Sequence, residues 1–422
     1  MRYDVCIAGS GVVGSALAAA LAPLGLRIAL VDRSFREQDR IVGELLQPEG
    51  VDRLGALGLA DILDDLAARP VHGYALFRDG RSITLDYPGD GMTGYGLRNG
   101  RFVQRLRERA WAHTAVEPIE ATVTDLLWDG DRVTGVETSA GRILARWTIA
   151  SDGFHSRLRT DLHARRPQRT GHFAGYLIDD RDLIEPGHGH LVQSDDRPVL
   201  AYPVPGNQAR VLIGLGELPG SVRSRAFRHH IEHVVAPSLP EPLHEAVACA
   251  ARDQTARVMP TQFLPARTRQ RPRGVVLVGD ALNMRHPLTG SGMTVGLGDA
   301  VLVRDALRDG SDDPEAAIDR AFARRNDANA SINILADALA QVMEHPRLSA
   351  AVFDYLGRGG RCADEPMEIL AGRDQRRTTL LRHFIAVAGV GAMQNDLPWT
   401  DRLQHAVVTV LDAGRILWRA AR

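Results

Sequence analysis

The residues of this chain best suited to chemistry fall in two glycine-punctuated stretches far apart in sequence. In the later one, Val275, Val276, Leu277 and Val278 form an unbroken apolar run, the pattern of a strand buried on both faces. Gly279-Asp280 ends the run and places a carboxylate at its carboxyl edge. The loop His286-Pro287-Leu288-Thr289-Gly290-Ser291-Gly292 follows, and a helix is predicted from Met293. Gly290 and Gly292 let backbone N–H groups come close to a ligand. A helix start adds unpaired donors and a partial positive charge. Such a site suits something flat and partly negative, with Asp280 as acceptor and a row of donors opposite. A flavin has that chemistry.

The earlier stretch is Gly9-Ser10-Gly11-Val12-Val13-Gly14. A buried strand is predicted over 3–8, an Ala- and Leu-rich helix over 15–24, and a second strand over 27–31 that ends in Asp32. This is the GxGxxG dinucleotide fingerprint in its strand–turn–helix setting, with the acid about 20 residues on. Gly9 makes the tight turn, Gly11 admits the pyrophosphate, and Gly14 lets the helix pack on the sheet. Asp32 accepts hydrogen bonds from a ribose. The fingerprint alone does not separate FAD from NAD.

These residues need elements to position them. Arg40 opens RIVGELLQPEG, a segment that mixes glycines and a proline with apolar residues, and can reach a phosphate. A helix is expected over 52–66 and another over 103–113. Hairpins are expected at 71–77/81–87, around Arg78-Asp79-Gly80, and at 121–128/132–139, around Asp129-Gly130-Asp131. A strand over 143–150 runs into Ser151-Asp152-Gly153. Strands at 171–177, 190–194, 198–203 and 208–215 lie outside the βα pattern and imply a separate sheet. Helices over 226–235 and 240–251 follow, and 257–264 leads back to the opening stretch. From Pro314 the chain is helical, with one long periodicity over 314–344 and apolar stripes over 377–394 and 403–418. Those stripes read either as a packed helical subdomain or as an interfacial pair that dips into a membrane.

Bulk properties bound the answer. The chain has 422 residues and net charge −1, so two or three subdomains are expected, and no basic patch argues for nucleic acid. Cys6, Cys249 and Cys362 are too few and scattered for a disulfide framework or zinc site. His188 and His190, or His229, His230 and His233, lack a Cys or acidic ligand at supporting spacing, so no metal site is expected. The chain begins almost directly with a strand, and its apolar runs are shorter than the roughly 20 residues that cross a bilayer. A cytoplasmic protein is expected, with peripheral membrane contact only through the C-terminal helices.

GELLQPEG at 43–50, GRFVQRLR at 100–107 and GDALNMRHPLTGSGMTVGLGD at 279–299 together resemble the squalene epoxidase (squalene monooxygenase) family. The match runs in order from about Asp4 to Leu307 and more faintly into the tail. Glu49 and Ser291 stand where many members show Gly, and the stretch between Arg165 and Ala256 is dissimilar. The resemblance implies an α/β chain with a discontinuous Rossmann-like FAD-binding domain (the hydroxylase-type flavoprotein fold), an inserted β-sheet substrate domain and a C-terminal helical region. The boundaries expected are 1–70, 98–165 and 256–330 for FAD, 71–97 and 166–255 for substrate, and 331–422 for the helical region.

Carried over residue by residue, the resemblance puts FAD on the backbone around Gly11, Val12 and Val13, with Asp32 on the ribose and Arg33 beside it. It adds Arg40, Leu45 and Arg101 as FAD contacts and Val123 near the adenine. The Asp152 segment resembles the second nucleotide-contacting element of flavoprotein hydroxylases. Asp280 matches the ribityl and phosphate region, and Pro287, Gly290, Gly292 and Met293 fall at the isoalloxazine end. Gln47 and Tyr74 match positions at the substrate end of the flavin, in the catalytic set.

The activity implied is that of an FAD-dependent monooxygenase acting through a flavin C4a-hydroperoxide, which epoxidises an alkene of an apolar isoprenoid or polyene. Its partners would be the small apolar substrate and molecular oxygen. NAD(P)H would supply electrons, directly or through a separate reductase. Two other readings remain open at this point: a hydroxylase or epoxidase of an aromatic or prenylated heteroaromatic in secondary metabolism, and a flavin-dependent isoprenoid reductase.

Overall fold

A computed structural model describes residues 2–162, 167–193, 197–265, 271–308, 313–343 and 345–392. The stripe at 403–418 lies outside the described residues.

The first sheet is built on the strand Arg2–Ala8, whose residues Val5 to Ala8 are almost wholly buried. Parallel to it run Ile28–Asp32 on one side and Gly141–Ala150 on the other, with Val116–Glu120 beyond Ile28–Asp32. Gly141–Ala150 shares its outer side between two partners. Its first half takes the antiparallel strand Arg132–Thr138, which pairs in turn with Val123–Asp129. Its last residues, Thr148 to Ala150, take Val275–Leu277 in parallel. Val275–Leu277 therefore ends at the same edge as Arg2–Ala8, although about 270 residues separate them. That is the crevice where open parallel sheets bind ligands.

The helix Val12–Leu21 begins directly after Gly11 and covers one face of this sheet. Its run of buried Ala residues lets the helices Asn99–Trp111 and Gly292–Arg308 pack closely against it. The helix expected over 52–66 is two pieces, Pro48–Ala56 and Ile62–Asp65, because Gly58 turns the chain at φ 74° between them. The long periodicity over 314–344 likewise divides at Asn329 into Pro314–Ala328 and Ala330–Met343.

The second sheet has seven strands in the order Arg257–Phe263, Gln168–Asp179, Gln208–Leu215, Pro198–Val204, His188–Gln193, Gly73–Arg78 and Arg81–Asp86. Arg257–Phe263, expected with the cofactor fold from residue 256, is an edge strand here, held by its ladder with Gln168–Asp179. A third small sheet pairs Gly94–Gly96 with both Leu45–Leu46 and Arg69–Val71. The tail helices Ala330–Met343, Pro346–Leu356, Arg361–Ala371 and Arg377–Ala392 pack on one another and against the second sheet, in one apolar cluster with Tyr74, Leu76 and Leu85. No helix among the described residues is long and apolar enough to cross a membrane.

One buried ion pair ties the small sheet to the large one. Glu44, just before Leu45, accepts two hydrogen bonds from Arg210, at 2.7 Å from Nε and 3.1 Å from Nη2, and both side chains are almost wholly buried. Removing one partner of such a pair strands a buried charge, at a cost of roughly 3–5 kcal/mol, whereas replacing both with apolar groups costs far less. Arg210→Met is expected to lower stability by about that amount in chemical denaturation, and Glu44→Leu/Arg210→Met to recover most of it. A loss in the double variant equal to the sum of the two single-variant losses would show that the two residues act independently.

Candidate active site and cofactor groove

The fingerprint glycines have three distinct duties. Gly9 adopts φ 106°, and a methyl on it would sit 2.5 Å from the Ser151 carbonyl oxygen. A methyl on Gly14 would sit 1.9 Å from the Gly9 carbonyl oxygen. Both are packing constraints between helix, turn and neighbouring strand. Gly11 is different, since no protein atom lies within 4 Å of a methyl placed there. It borders open space at the first turn of a helix, where backbone donors point outward.

Asp32 braces this turn: its Oδ2 accepts from the Ser10 N–H at 2.7 Å and the Ser10 hydroxyl at 3.0 Å. Arg107 closes the loop from behind, its Nε donating to the Ser10 carbonyl at 3.0 Å. Arg33 and Arg40 are exposed, and Arg40 donates to Gln38 at 3.0 Å. Both lie near the Asp152 segment: burial first, then Arg33, Arg159 and Arg40, holds His155 below its ordinary pKa. Arg101 is exposed on the helix Asn99–Trp111 and paired with Glu37 at 3.4 Å, and Val123 is half-buried at the start of its strand. Neither of the two has a described contact with the glycine turn.

Further along, Val13 meets the second stretch, since methyls on Gly279 and Gly296 would lie 3.0 Å and 2.6 Å from its Cγ2. Asp152 accepts from the Arg157 N–H at 3.1 Å through Oδ2, while its Oδ1 is buried without a partner among the described residues. Burial raises its pKa against the hydrogen bonds that favour the anion. Asp280 is open to solvent yet has protein packed around it, as a carboxylate at the floor of a groove does. That surrounding protein raises its pKa, against the opposing charges of Arg285, Arg40 and Arg159.

At the other end, Gly43 (φ 67°) has its carbonyl held by Asn99 at 3.1 Å, and a methyl on it would come within 3.5 Å of the Met293 sulfur. Pro287 starts a single helical turn, Pro287–Thr289, capped by His286, whose Nδ1 accepts from the Leu288 N–H at 3.3 Å. Burial pushes the His286 imidazole down to about 4, so it is neutral and able to accept. Gly290, at φ 61°, brings the loop against Gln47 and Leu45, and Gly292 opens the helix Gly292–Arg308 onto free space.

Gln47 is fully buried and both hydrogens of its side-chain amide are used. Its amide nitrogen donates to the Tyr74 hydroxyl at 2.8 Å and to the Thr289 carbonyl at 2.7 Å. Its amide oxygen accepts from the Tyr87 hydroxyl. Tyr74 therefore accepts from Gln47 and keeps its own proton. Burial pushes the Tyr74 phenol up to about 12, so it stays neutral at physiological pH.

Tyr74 also belongs to the wall of a large apolar cavity, about 1190 Å³ of space including its open mouth, between the second sheet and the tail helices. Leu76, Leu191, Leu288, Leu339, Met367 and Phe384 are in that wall. Tyr355 and His383, also in it, are bonded to each other at 2.7 Å, and His383 to Glu365 at 2.8 Å.

The residues present fit an FAD. Two helix starts have open space, at Gly11 and at Gly292, and Val13 links them by meeting Gly279 and Gly296, with Asp280 exposed next to Gly279. Sequence reasoning missed Ser10, Arg107, Tyr87, Asp299 and Arg325. Asp299 is fully buried, accepts from the Gly279 N–H at 2.8 Å, and takes a two-pronged grip from Arg325 at 2.6 Å and 3.0 Å. An acid among Val295, Leu297, Val301 and Val303 on a helix is the available signal, because a buried carboxylate needs a partner. Nothing in the local pattern singles out Tyr87.

The glycine geometry separates two effects. Gly11→Ala is expected to leave the melting temperature of cofactor-free protein unchanged while weakening FAD binding at least tenfold, about 1.4 kcal/mol. Gly14→Ala is expected to destabilise the cofactor-free protein itself. A cofactor-free Gly11→Ala protein that melts early would remove the assignment of that open space to a ligand.

Comparisons with known proteins bear on the family and the fold. The family model for squalene epoxidase matches residues 144–403. Squalene epoxidase 3 of Arabidopsis thaliana is 38% identical over 98% of this chain and 83% of its own length. Squalene monooxygenase of Mus musculus is 37% identical over 91% of this chain and 70% of its own. Among solved structures, a probable FAD-dependent monooxygenase from Pseudomonas aeruginosa superposes with TM-score 0.72 at 24% identity, over 84% of this chain and all of that one. The flavin-dependent brominase Bmp2 superposes with TM-score 0.71 at 17% identity, over 93% and 100%. These two likenesses concern the fold. The family model and the close relatives, over nearly the full length, mean that this chain belongs to the squalene epoxidase family.

Proposed function

We infer that the protein is an FAD-dependent monooxygenase that epoxidises a carbon–carbon double bond of an apolar isoprenoid. The observation that carries this reading is Tyr74, which is bonded to the Gln47 amide at the end of the cofactor groove and also walls the apolar cavity. The cavity walls are almost wholly aliphatic and aromatic, which favours a hydrocarbon chain over a compact polar aromatic. We assign the cofactor to the first sheet with its helices, and the substrate to the second sheet with the tail helices.

Bound and reduced FAD supplies the oxygen-activating chemistry. The chain's own residues position and exclude. Gly11 with Val12 and Val13 would hold the pyrophosphate on backbone donors, and Asp32 the ribose. Arg33, Arg40 and Arg101 would supply positive charge along the groove. Val123 and Asp152 would flank the adenine half, and Asp280 the ribityl chain. Pro287, Gly290, Gly292 and Met293 would surround the ring system, with the helix start offering positive potential to a reduced, negative flavin. Leu45 and the cavity wall keep water from the reacting carbon. Tyr74, fixed by Gln47, presents a hydroxyl donor where the groove meets the cavity.

Electrons come from NAD(P)H, directly or through a reductase. Leu381 and Ile385 are exposed on Arg377–Ala392, the same helix whose Phe384 and Val387 wall the cavity. That arrangement supports uptake of the substrate from an apolar phase at a membrane surface.

The test is turnover of an isoprenoid alkene under isotopically labelled oxygen gas. The expected product is an epoxide that carries one labelled atom, and a product without gas-derived label would end the monooxygenase reading. Tyr74→Phe is expected to lower kcat by about tenfold, the loss of one hydrogen bond at the reacting centre, with FAD content unchanged. Because the phenol titrates near 12, the ratio of wild-type to Tyr74→Phe rate stays flat between about pH 6 and pH 10 and falls only above that. A ratio that changes near neutrality would assign the effect to another group.

A further inference from the structure

The helix Gly292–Arg308 has two working faces. Met293 and Gly296 turn toward Gly43 and Val13 at the cofactor groove. Thr294, Gly298 and Leu302 fall about 100–180° around the helix from Met293 at 100° per residue and wall a second cavity, of about 760 Å³ including its open mouth. Its other walls come from the helices Pro48–Ala56, Pro314–Ala328 and Arg361–Ala371.

The polar groups of this cavity do not balance. Glu49 and Asp374 are in its wall, and each is already spent, Glu49 on Arg53 at 2.6 Å and Asp374 on Arg376 at 2.8 Å. Arg325, wholly buried, gives Nε and Nη2 to Asp299, while its Nη1 has no partner among the described residues. The Thr294 hydroxyl, on a side chain only 7% exposed, is also unpartnered there. Arg324, exposed at the same cavity, makes no ion pair among the described residues. A buried donor left unmade costs about 1–3 kcal/mol, and more where it is charged. Unpaired donors on side chains that wall one cavity, each covered in the present rotamer, point to an occupant that turns them into it. What is unspent here is a guanidinium N–H, a hydroxyl and a second guanidinium. That set matches a compact oxyanion, a phosphate or a carboxylate.

We propose that this cavity is a binding site for a small oxyanion, distinct from the cofactor groove and coupled to it through Arg325. The coupling path is short. Arg325 grips Asp299, and Asp299 holds the Gly279 N–H beside Asp280, the groove carboxylate. An anion that fixes Arg325 fixes that turn, so anion and cofactor stabilise one another by the same factor.

The experiment is the melting temperature of the FAD-loaded protein in inorganic phosphate and, separately, in acetate, at constant ionic strength set with a bulky anion. The expected result is a saturable rise in at least one series, following ligand binding to the native state. The lower midpoint identifies phosphate or carboxylate as the preferred group. Thr294→Val, which removes the hydroxyl at nearly constant volume, and Arg324→Gln, at an exposed position, should each raise that midpoint on the order of tenfold. FAD release, followed by its fluorescence, should slow as anion is added, with the half-effect in each variant shifted to about tenfold higher anion than in the wild type. No saturable rise in either series would mean that water alone meets these donors. Equal midpoints in wild type and both variants would mean an adventitious ion only. Either result overturns the proposal, and neither bears on the epoxidation reading, because no substrate is present.

Discussion

The Gln47 amide is the joint on which the working geometry depends. It is buried without access to water, and its three hydrogen bonds go to three separate parts of the chain: Tyr74 on the second sheet, Tyr87 beyond the paired strand, and the Thr289 carbonyl in the turn before the helix Gly292–Arg308. An amide has two donors and one acceptor oxygen, so this set fixes which way it points. Tyr87 holds the oxygen, and both N–H groups then face Tyr74 and Thr289. Tyr74 is thereby an acceptor toward Gln47. Loss of any member would leave a buried polar group unmet, which is why the joint holds its register.

Around this joint the charges follow the same rule. Glu44 with Arg210, and Asp299 with Arg325, are buried pairs that each connect distant segments. The first ties the GELL segment to the second sheet. The second ties the Gly279 turn to the helix Pro314–Ala328. Each touches a group assigned to the cofactor or its neighbour: Glu44 adjoins Leu45 in sequence, and Asp299 holds the N–H of Gly279, which precedes Asp280. Fixed partners of this kind hold the groove open in one geometry before any ligand arrives. The apolar cavity is built the opposite way, from leucine, methionine and phenylalanine. The tail helices that wall it are tied to each other by the Tyr355–His383–Glu365 chain.

The glycine turn at 9–14 and the strands at 3–8 and 275–278 were legible because each is a local pattern with one physical meaning. Alternating or unbroken apolar runs bounded by glycine specify a strand, and glycines at fixed offsets specify a turn that only they can make. The break at Gly58 was visible in the sequence and outweighed by the apolar spacing on either side. The placement of Arg257–Phe263 was not visible, since a strand's neighbours are chosen by ladders with residues some 90 positions away. Arg40 and Arg101 match a family pattern by type, yet their side chains here are exposed and bonded to Gln38 and Glu37. Exposed arginines have many rotamers, and no local rule selects one.

The sequence alone determined two strand–turn–helix stretches about 270 residues apart, because each stretch encodes its own turn and helix start. It also determined the family, through motifs long enough to be idiosyncratic. Only the tertiary structure decided that Gly9 and Gly14 are packing residues while Gly11 faces open space. It alone brought Tyr87 and Gln47 together, left Arg325 with an unspent donor, and closed the tail helices over an apolar cavity. Those facts depend on distances between side chains from separate elements, and such distances arise only when the sheets and helices pack.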